Sequence, residues 1–205
     1  MEENNRVLLV GTVNEDLTFS HEIYGEKFYG LSVATRRTSG AMDRVPVLVS
    51  EKLVNENDSY YGKTVQIMGE YRSRNTEKGN LTLNVFANSF EVVADDTEHI
   101  NEIYLEGFIC KTPVFRTTPL GRQISELLVA VNRRYNKSDY IPCITWGRNA
   151  SFASRFDIGT KIAIEGRIQS REYKKVVDGN EVFKTAYEIS IGWLQDITNG
   201  KGDSE

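Results

Sequence analysis

Several residue types and patterns that mark common protein classes are scarce in this sequence of 205 residues. It has only two cysteines, Cys110 and Cys143, and each lies in an apolar, strand-like run. We therefore predict two buried, reduced thiols rather than a disulfide or a metal site. No apolar run approaches the roughly 20 residues that span a bilayer, and the start, Met1–Asn5, is too acidic and polar for a signal peptide. These absences predict a cytoplasmic protein.

The sequence also offers little for catalysis or for cofactor binding. Its two histidines, His21 and His99, are far apart in the sequence, and neither is near a cysteine. No glycine-rich phosphate loop follows a strand, and no cluster has the spacing of zinc ligands. The carboxylates between 95 and 98 are typical of a solvated linker. We therefore predict that the protein is not an enzyme and has no cofactor and no metal.

The charge is unevenly distributed along the chain. The formal net charge is −4, which taken alone argues against a nucleic-acid binder. Residues 103–195, however, hold 14 Lys and Arg against 9 Asp and Glu, whereas 6–93 hold 10 against 11. Because local fields matter more than net charge, the later half has the basic excess that a polyanion requires.

An internal repeat divides the chain into two copies of about 90 residues, at a constant offset of 96 or 97. Four segments recur in fixed order: Val7–Val13 matches Ile103–Ile109, Leu31–Arg37 matches Leu128–Arg134, Asp43–Val49 matches Asp139–Thr145, and Tyr61–Arg74 matches Ile158–Arg171. We place a first copy at 1–95, an acidic linker at 96–102, a second copy at 103–197 and a flexible tail at 198–205.

Each copy is predicted to be β-rich, because short runs of β-branched and aromatic residues are separated by Gly, Asn, Asp and Ser. The predicted strands are 6–14, 28–37, 44–50, 64–74 and 81–93, then 103–110, 124–134, 140–146, 160–173 and 182–195. A helix is expected between the third and fourth strands, at 149–156 with Asn149 as N-cap and, shorter, at 50–54. Asp178–Gly179 is typical of a hairpin turn. This order predicts an all-β protein of two tandem OB-fold five-stranded barrels, each with one short helix.

The residues that point to a function lie in the third and fourth strands of the second copy. Side chains two apart share a face of a strand, so Tyr140, Ile144 and Trp146 point the same way. The next strand places four side chains on one face: Arg167, Gln169, Arg171 and Tyr173. Aromatic rings among guanidinium groups suit a polyanion with exposed bases, which indicates single-stranded nucleic acid.

The second copy resembles the bacterial single-stranded DNA-binding proteins. The resemblance is carried by Gly121–Tyr135, by Asp139–Trp146, by Ala153–Phe156 followed by Gly159, and most specifically by Ile164–Tyr173. It implies sequence-independent binding of single-stranded DNA in replication, recombination or repair. It also implies that bases stack on Tyr140, Trp146 and Tyr173, with Tyr135 a looser match. Family members use four OB domains together, so the resemblance implies a homodimer of this two-domain chain.

The sequence departs from the family pattern in two places. In the first copy, Arg44 stands where Tyr140 stands, Ser50 is near the place of Trp146, and Thr76 is at that of Tyr173. The first copy therefore either binds phosphates without stacking or serves as structure only. The family's housekeeping members end in an acidic tail tip with Pro-Phe, which docks other replication proteins. Gly202–Glu205 has no such tip, which counts against docking of replication proteins.

The candidate DNA-binding residues are aromatic or cationic side chains: Arg134, Tyr135, Tyr140, Trp146, Arg148, Arg167, Arg171, Tyr173 and Lys174 in the second copy, and Arg36, Arg44, Arg72 and Arg74 in the first. Trp193 alternates with Ile189 and Ile191, so we predict that it is core. Two other hypotheses stay open. One is an OB-fold protein-interaction module of replication restart or of a mobile element that binds DNA weakly, and the other is RNA or tRNA binding.

Overall fold

The computed structural model describes residues 4–75, 81–177 and 180–198, and within them not the side chains of Asn75, Tyr135, 175–177 and Asn180. The predicted turn at Asp178–Gly179, the position of Thr76 and the tail beyond Thr198 lie outside the described residues. The candidate side chain of Tyr135 also lies outside them.

The described chain is all-β apart from a short helix and one turn of 3₁₀ helix. Its strands are β1 (Asn5–Ile23), β2 (Glu26–Arg36), β3 (Met42–Ser50), β4 (Thr64–Asn75), β5 (Leu81–Val92), β6 (Ile100–Ile109), β7 (Val114–Thr117), β8 (Gln123–Asn132), β9 (Ser138–Trp146), β10 (Lys161–Val177) and β11 (Asn180–Asp196). Helix α1 (Gly147–Ala153) lies between β9 and β10, and Arg134–Asn136 form the 3₁₀ turn.

The strands of the first copy pair in a closed ring. β1 pairs with β2, β2 with β3, β5 with β4 and β4 with β1, all antiparallel. A short parallel pairing of Val47 and Leu48 with Val85 and Phe86 joins β3 to β5 and closes the ring. Alternate side chains therefore point into a barrel, where Val33, Val45 and Ile67 are fully buried.

The same succession of pairings recurs among the strands of the second copy. β6, β8 and β9 are joined antiparallel, β9 pairs in parallel with β11 at Cys143 and Ile144, and β10 links β11 back to β6. The two rings meet where β1 and β6 pair antiparallel, from Asn5–Val10 to Ile100–Leu105. The apolar run Ile103–Ile109 is thus a strand at the junction of the copies.

In each ring, the fourth strand approaches the fifth closely at a glycine that adjoins a β-bulge. The pairing shifts between Met68 and Gly69 in the first copy, and between Glu165 and Gly166 in the second. A Cβ added at Gly69 or Gly166 would lie 2.2 or 2.3 Å from a carbonyl oxygen of the fifth strand. No side chain fits at that distance, so these glycines allow the close approach and the bend.

The structure differs from the predicted elements in four ways. Residues 51–54 form turns rather than a helix, so a helix follows the third strand only in the second copy. That helix begins at Gly147, and its N-cap is Trp146 instead of Asn149. β1 continues to Ile23 as one arm of an exposed hairpin, and β7 is its counterpart in the second copy. β6 begins at Ile100, so the end of the predicted linker is strand.

Both cysteines are free, as predicted. Cys143 is buried and Cys110 half-buried, and burial raises the pKa of each thiol. A raised pKa keeps a thiol protonated and unreactive at neutral pH. Among the described residues, no helix has the length and apolar character needed to cross a membrane.

Candidate nucleic-acid interface

Strand β9 presents two aromatic rings to solvent. Asp139, Ile141 and Cys143 point inward and are almost fully buried, so the alternate positions face outward. Tyr140 and Trp146 are 46% and 41% exposed. Ile144, predicted on their face, is buried between them. The rings therefore form two separate platforms, one at each end of the strand.

The predicted row of polar side chains on β10 divides into two parts. Arg171 and Tyr173 are exposed, Tyr173 to 37%, on the part of the hairpin that extends beyond the ring. Gln169 is buried, and its Nε2 donates to Glu188 Oε1 at 2.7 Å. The outer two residues can meet a ligand, whereas Gln169 is held by β11.

Arg167 lies against the first copy and is half-buried there. Its Nε lies 3.9 Å from Oδ2 of Asp43, which also pairs with Arg37. Burial lowers the pKa of Arg167, as does the neighbouring charge of Arg37, while Asp43 raises it. Arg167 thus belongs to a charge cluster between the copies, because its partner comes from a distant part of the sequence.

The remaining cations of the second copy lie around the aromatic platforms. Arg134, in the 3₁₀ turn, and Arg148, two residues after Trp146 in α1, are both exposed. Lys174, next to Tyr173, donates to Glu181 Oε2 at 2.8 Å, and its Nζ lies 5.5 Å from the ring centre of Phe183. An exposed pair of this kind is weak, about 0–1 kcal/mol, so Lys174 can exchange Glu181 for a phosphate.

Two of the four candidate cations of the first copy already contact acidic side chains. Arg72 pairs with Glu70 at 3.0 Å and stacks over the Phe86 ring at 3.8 Å. Arg44 lies 3.7 Å from Glu172 of the β10–β11 hairpin. Arg36 and Arg74 have exposed side chains. The described first copy therefore offers fewer cations for phosphate than its sequence indicates.

The positions of Arg44 and Tyr140 are structurally equivalent. The Arg44 backbone N–H donates to Ser170 Oγ of the second copy at 3.0 Å, and the Tyr140 N–H donates to Ser73 Oγ of the first at 2.9 Å. The first copy therefore carries a guanidinium where the second carries a ring, as the sequence repeat predicts.

The prediction that Trp193 is core is wrong, since 43% of its surface is exposed. Ile189 and Ile191 point inward, but Gly192 is an extra residue opposite the Glu165/Gly166 step of β10. The bulge changes the alternation, so Leu194 takes the inward position and Trp193 faces out. A glycine in the fifth strand at the end of regular alternation is the sequence signal for this change.

Sequence reasoning also missed other exposed aromatic residues of the second copy. Phe183, on β11 beside Lys174, is 66% exposed, and Phe108 on β6 is 36% exposed. Phe108 pairs with Ala130, which in turn pairs with Tyr140, so the rings of Phe108 and Tyr140 lie on one face. That pairing cannot be deduced from any one segment.

Comparisons with known proteins agree on one family. The model of the "Single-strand binding protein family" matches residues 100–195. Single-stranded DNA-binding protein 2 of Listeria innocua is 34% identical over 111 residues, which cover 50% of this chain and 69% of that protein. Single-stranded DNA-binding protein A of Bacillus subtilis is 31% identical over 110 residues, covering 50% of this chain and 63% of that protein. The chain thus spans under two thirds of the Bacillus protein.

A solved structure extends the likeness in fold to almost the whole chain. The wild-type single-stranded DNA binding protein of Thermus aquaticus superposes with a TM-score of 0.77 at 20% identity, over 98% of this chain and 96% of that one. At that identity the likeness concerns the fold, a closed five-stranded barrel of the OB type.

Proposed function

This chain belongs to the single-strand binding protein family, and on that basis we propose that it binds single-stranded DNA independently of sequence, as a non-catalytic protein of replication, recombination or repair. The observation that carries the proposal is the exposure of Tyr140, Trp146 and Tyr173 beside Arg148 and Arg171. Rings stack on any base and cations neutralise phosphates, which is how a site binds strands without reading sequence.

The proposed architecture is two tandem OB-fold domains, at 1–95 and 103–197. The two rings of strand pairing, each closed by a parallel pair of its third and fifth strands, support it. The second domain is the main binding surface in this proposal, because it carries the rings and the basic excess. The cytoplasmic location stays a prediction.

A homodimer would bring four such domains together. A groove of about 700 Å³ on the β4–β1–β6–β10 sheet supports it, with Leu8, Met68 and Tyr104 in its lining. Met68 is 50% exposed there, so a second copy seated in the groove would cover apolar surface. Light scattering should give twice the chain mass of 23.3 kDa, and a mass of one chain would exclude the dimer.

The test of function is a titration of fluorescently labelled oligo-dT with the full chain, followed by anisotropy at several salt concentrations. We expect tight binding at low salt that weakens with a log–log slope of roughly −0.7 per phosphate neutralised. A duplex of equal length should compete poorly, since its bases are already stacked. No binding of oligo-dT at low salt would overturn the proposal, and stronger binding of oligo-U would favour RNA.

A protein-interaction module is the second candidate function. The observation in its favour is the β1–β2 arm of the first copy, where Phe19, Ile23 and Tyr24 are 57%, 48% and 105% exposed. Pull-down from lysate treated with nuclease separates the two functions, because a partner bridged by DNA is lost and a directly bound protein is retained.

A further inference from the structure

A groove of about 470 Å³ lies between the two copies, distinct from the aromatic platforms of β9. One wall is the outward face of β2 and β3, and the other is the β10–β11 hairpin of the second copy. Its size falls within the roughly 300–1,000 Å³ of small-molecule sites. The groove exists only because the hairpin of one copy extends over the strands of the other.

The first-copy wall is apolar below and cationic at its rim. Met42 and Pro46 line it together with Arg44, the structural equivalent of Tyr140, and Leu31 lies beneath them in the core. The Met42 and Pro46 side chains offer an apolar surface on which a planar ring can lie, but the described residues of this copy contribute no aromatic side chain to the groove.

The aromatic ring comes from the second copy. Tyr187 lines the groove, half-buried, and its ring packs partly against the core, which fixes its orientation. The ring that the first copy lacks at Arg44 is thus replaced by one from the opposite wall. A flat group between Tyr187 and the apolar wall would be covered on both faces, as a stacked base is.

The charges in the groove favour entry of the base of a nucleotide over entry of its phosphate. Glu15 and Glu172 both line it, Arg44 is the single cation among the described lining residues, and Glu172 already pairs with Arg44 at 3.7 Å. Burial raises the pKa of Tyr187, as does the charge of Glu15, and Arg44 opposes that shift, so these groups lie close enough to interact. Two carboxylates against one guanidinium repel a phosphate but accept hydrogen bonds from amino groups.

We propose that this groove holds one nucleobase and prefers a base with an exocyclic amine, such as cytosine, to uracil or thymine. The proposal rests on the proposed binding of single-stranded DNA and refines it, because this one groove adds a base preference to binding that is otherwise independent of sequence. Carboxylates accept from the N4 amine of cytosine, whereas uracil and thymine present a carbonyl oxygen at that place. Glu15 and Glu172 are the specificity-determining groups, and Tyr187 is the stacking ring.

The test compares oligo-dC with oligo-dU of equal length in anisotropy competition, using the full chain. The measured quantity is the ratio of the affinity for oligo-dC to that for oligo-dU. In Glu15→Gln and in Glu172→Gln this ratio should be lower than in the wild type by on the order of fivefold or more. Both carboxylates are exposed, so neither change threatens folding. Glu165→Gln, an exposed carboxylate on the same strand outside this groove, should leave the ratio unchanged.

A second readout does not depend on a variant. Oligo-dC carrying 5-iododeoxycytidine, crosslinked by light, should label the peptide that contains Tyr187. Crosslinks confined to the β9 platforms, or a ratio of affinities unaffected by either Glu→Gln change, would overturn the groove's role and leave the proposed function intact. Failure of the wild type to bind any oligonucleotide would overturn both.

Discussion

Asp43 and Asp139 hold equivalent positions, and each accepts a hydrogen bond from a serine backbone of the other copy. Oδ1 of Asp43 accepts the backbone N–H of Ser170 at 2.9 Å, and Oδ1 of Asp139 accepts that of Ser73 at 2.6 Å. Both aspartates are fully buried, and each pairs with an arginine of its own copy. The two copies are therefore joined by polar contacts that repeat on both sides of the β1–β6 pairing.

Removing either carboxylate should destabilise the protein strongly. Asp139→Ala leaves the Ser73 N–H and the Arg133 guanidinium without their acceptor, and Asp43→Ala does the same to Ser170 and Arg37. Breaking a buried pair costs about 3–5 kcal/mol, measured as a lower urea midpoint at pH 7. Glu181→Ala, which breaks the exposed pair with Lys174, should cost about 1 kcal/mol or less. Similar losses of stability in all three variants would contradict the stabilising role of the buried aspartates.

The stability contributed by Asp139 should depend on pH. Burial raises the pKa of its carboxyl, while the Ser73 N–H and Arg133 oppose the shift. A raised pKa in the folded state means that the contribution is fully present below the unfolded pKa of about 3.9 and is lost as pH rises through the folded value. The unfolding free energy of the wild type relative to Asp139→Asn should therefore increase from pH 7 to pH 4.

The control for this pH dependence is Asp96→Asn, an exposed linker carboxylate. Its unfolding free energy should follow that of the wild type in parallel over the same range. A difference between wild type and Asp139→Asn that decreases as pH falls would show that the fold stabilises the charged form of Asp139, and a constant difference would show that folding leaves its pKa unshifted. Either result would contradict the prediction.

The repeat in the sequence predicts much of this architecture, because both copies must close the same ring of strands. It places Arg44 at the position in the first copy that is equivalent to Tyr140 in the second. It misplaces one register: the structure pairs Arg37 with Asp43 as Arg133 pairs with Asp139, an offset of 96, where the segment match gave 97.

Contacts between distant segments account for what the sequence could not predict. The sequence indicates that Arg167 is a freely exposed cation, and only the fold shows Asp43, 124 positions earlier, beside its half-buried side chain. Trp193 follows the alternation of a core strand until the bulge at Gly192 turns it outward. The groove at Tyr187 requires both copies. In each case local periodicity is overridden by a partner from another part of the chain.

Aromatic truncations in the second copy should weaken binding more than loss of Arg44. Trp146→Ala, Tyr140→Ala and Tyr173→Ala each remove an exposed ring, and stacking contributes about 1–3 kcal/mol per base. Arg44→Ala should cost less for oligo-dT, because Glu172 already offsets its charge. Dissociation constants from anisotropy test this order. Equal losses in all four variants would contradict the asymmetry between the copies.

Tryptophan fluorescence should report on one of the two exposed indoles only. Oligo-dT is expected to quench the wild type, because a base stacks on Trp146. Trp193→Phe should retain the quenching, since Trp193 pairs across the strands with Glu165, a carboxylate that repels phosphate. Trp146→Phe should lose most of it. Quenching that persists in Trp146→Phe and disappears in Trp193→Phe would place the strand along the other surface.

Arg171 and Arg167 provide a matched pair on one face of β10. Arg171 is exposed beside Tyr173, whereas Arg167 is half-buried against Asp43 and Arg37. Because each neutralised phosphate contributes roughly 0.7 to the log–log salt slope, Arg171→Ala should reduce the slope for oligo-dT by about that amount. Arg167→Ala should leave the slope unchanged, since its charge already acts on Asp43.

The two variants also separate binding from stability. Arg167→Ala removes a charge from the cluster between the copies, so its urea midpoint should shift, while that of Arg171→Ala should stay close to the wild type. A reduced salt slope in Arg167→Ala would contradict this assignment. It would mean that a phosphate reaches the exposed part of the Arg167 guanidinium beside the buried Asp43 carboxylate.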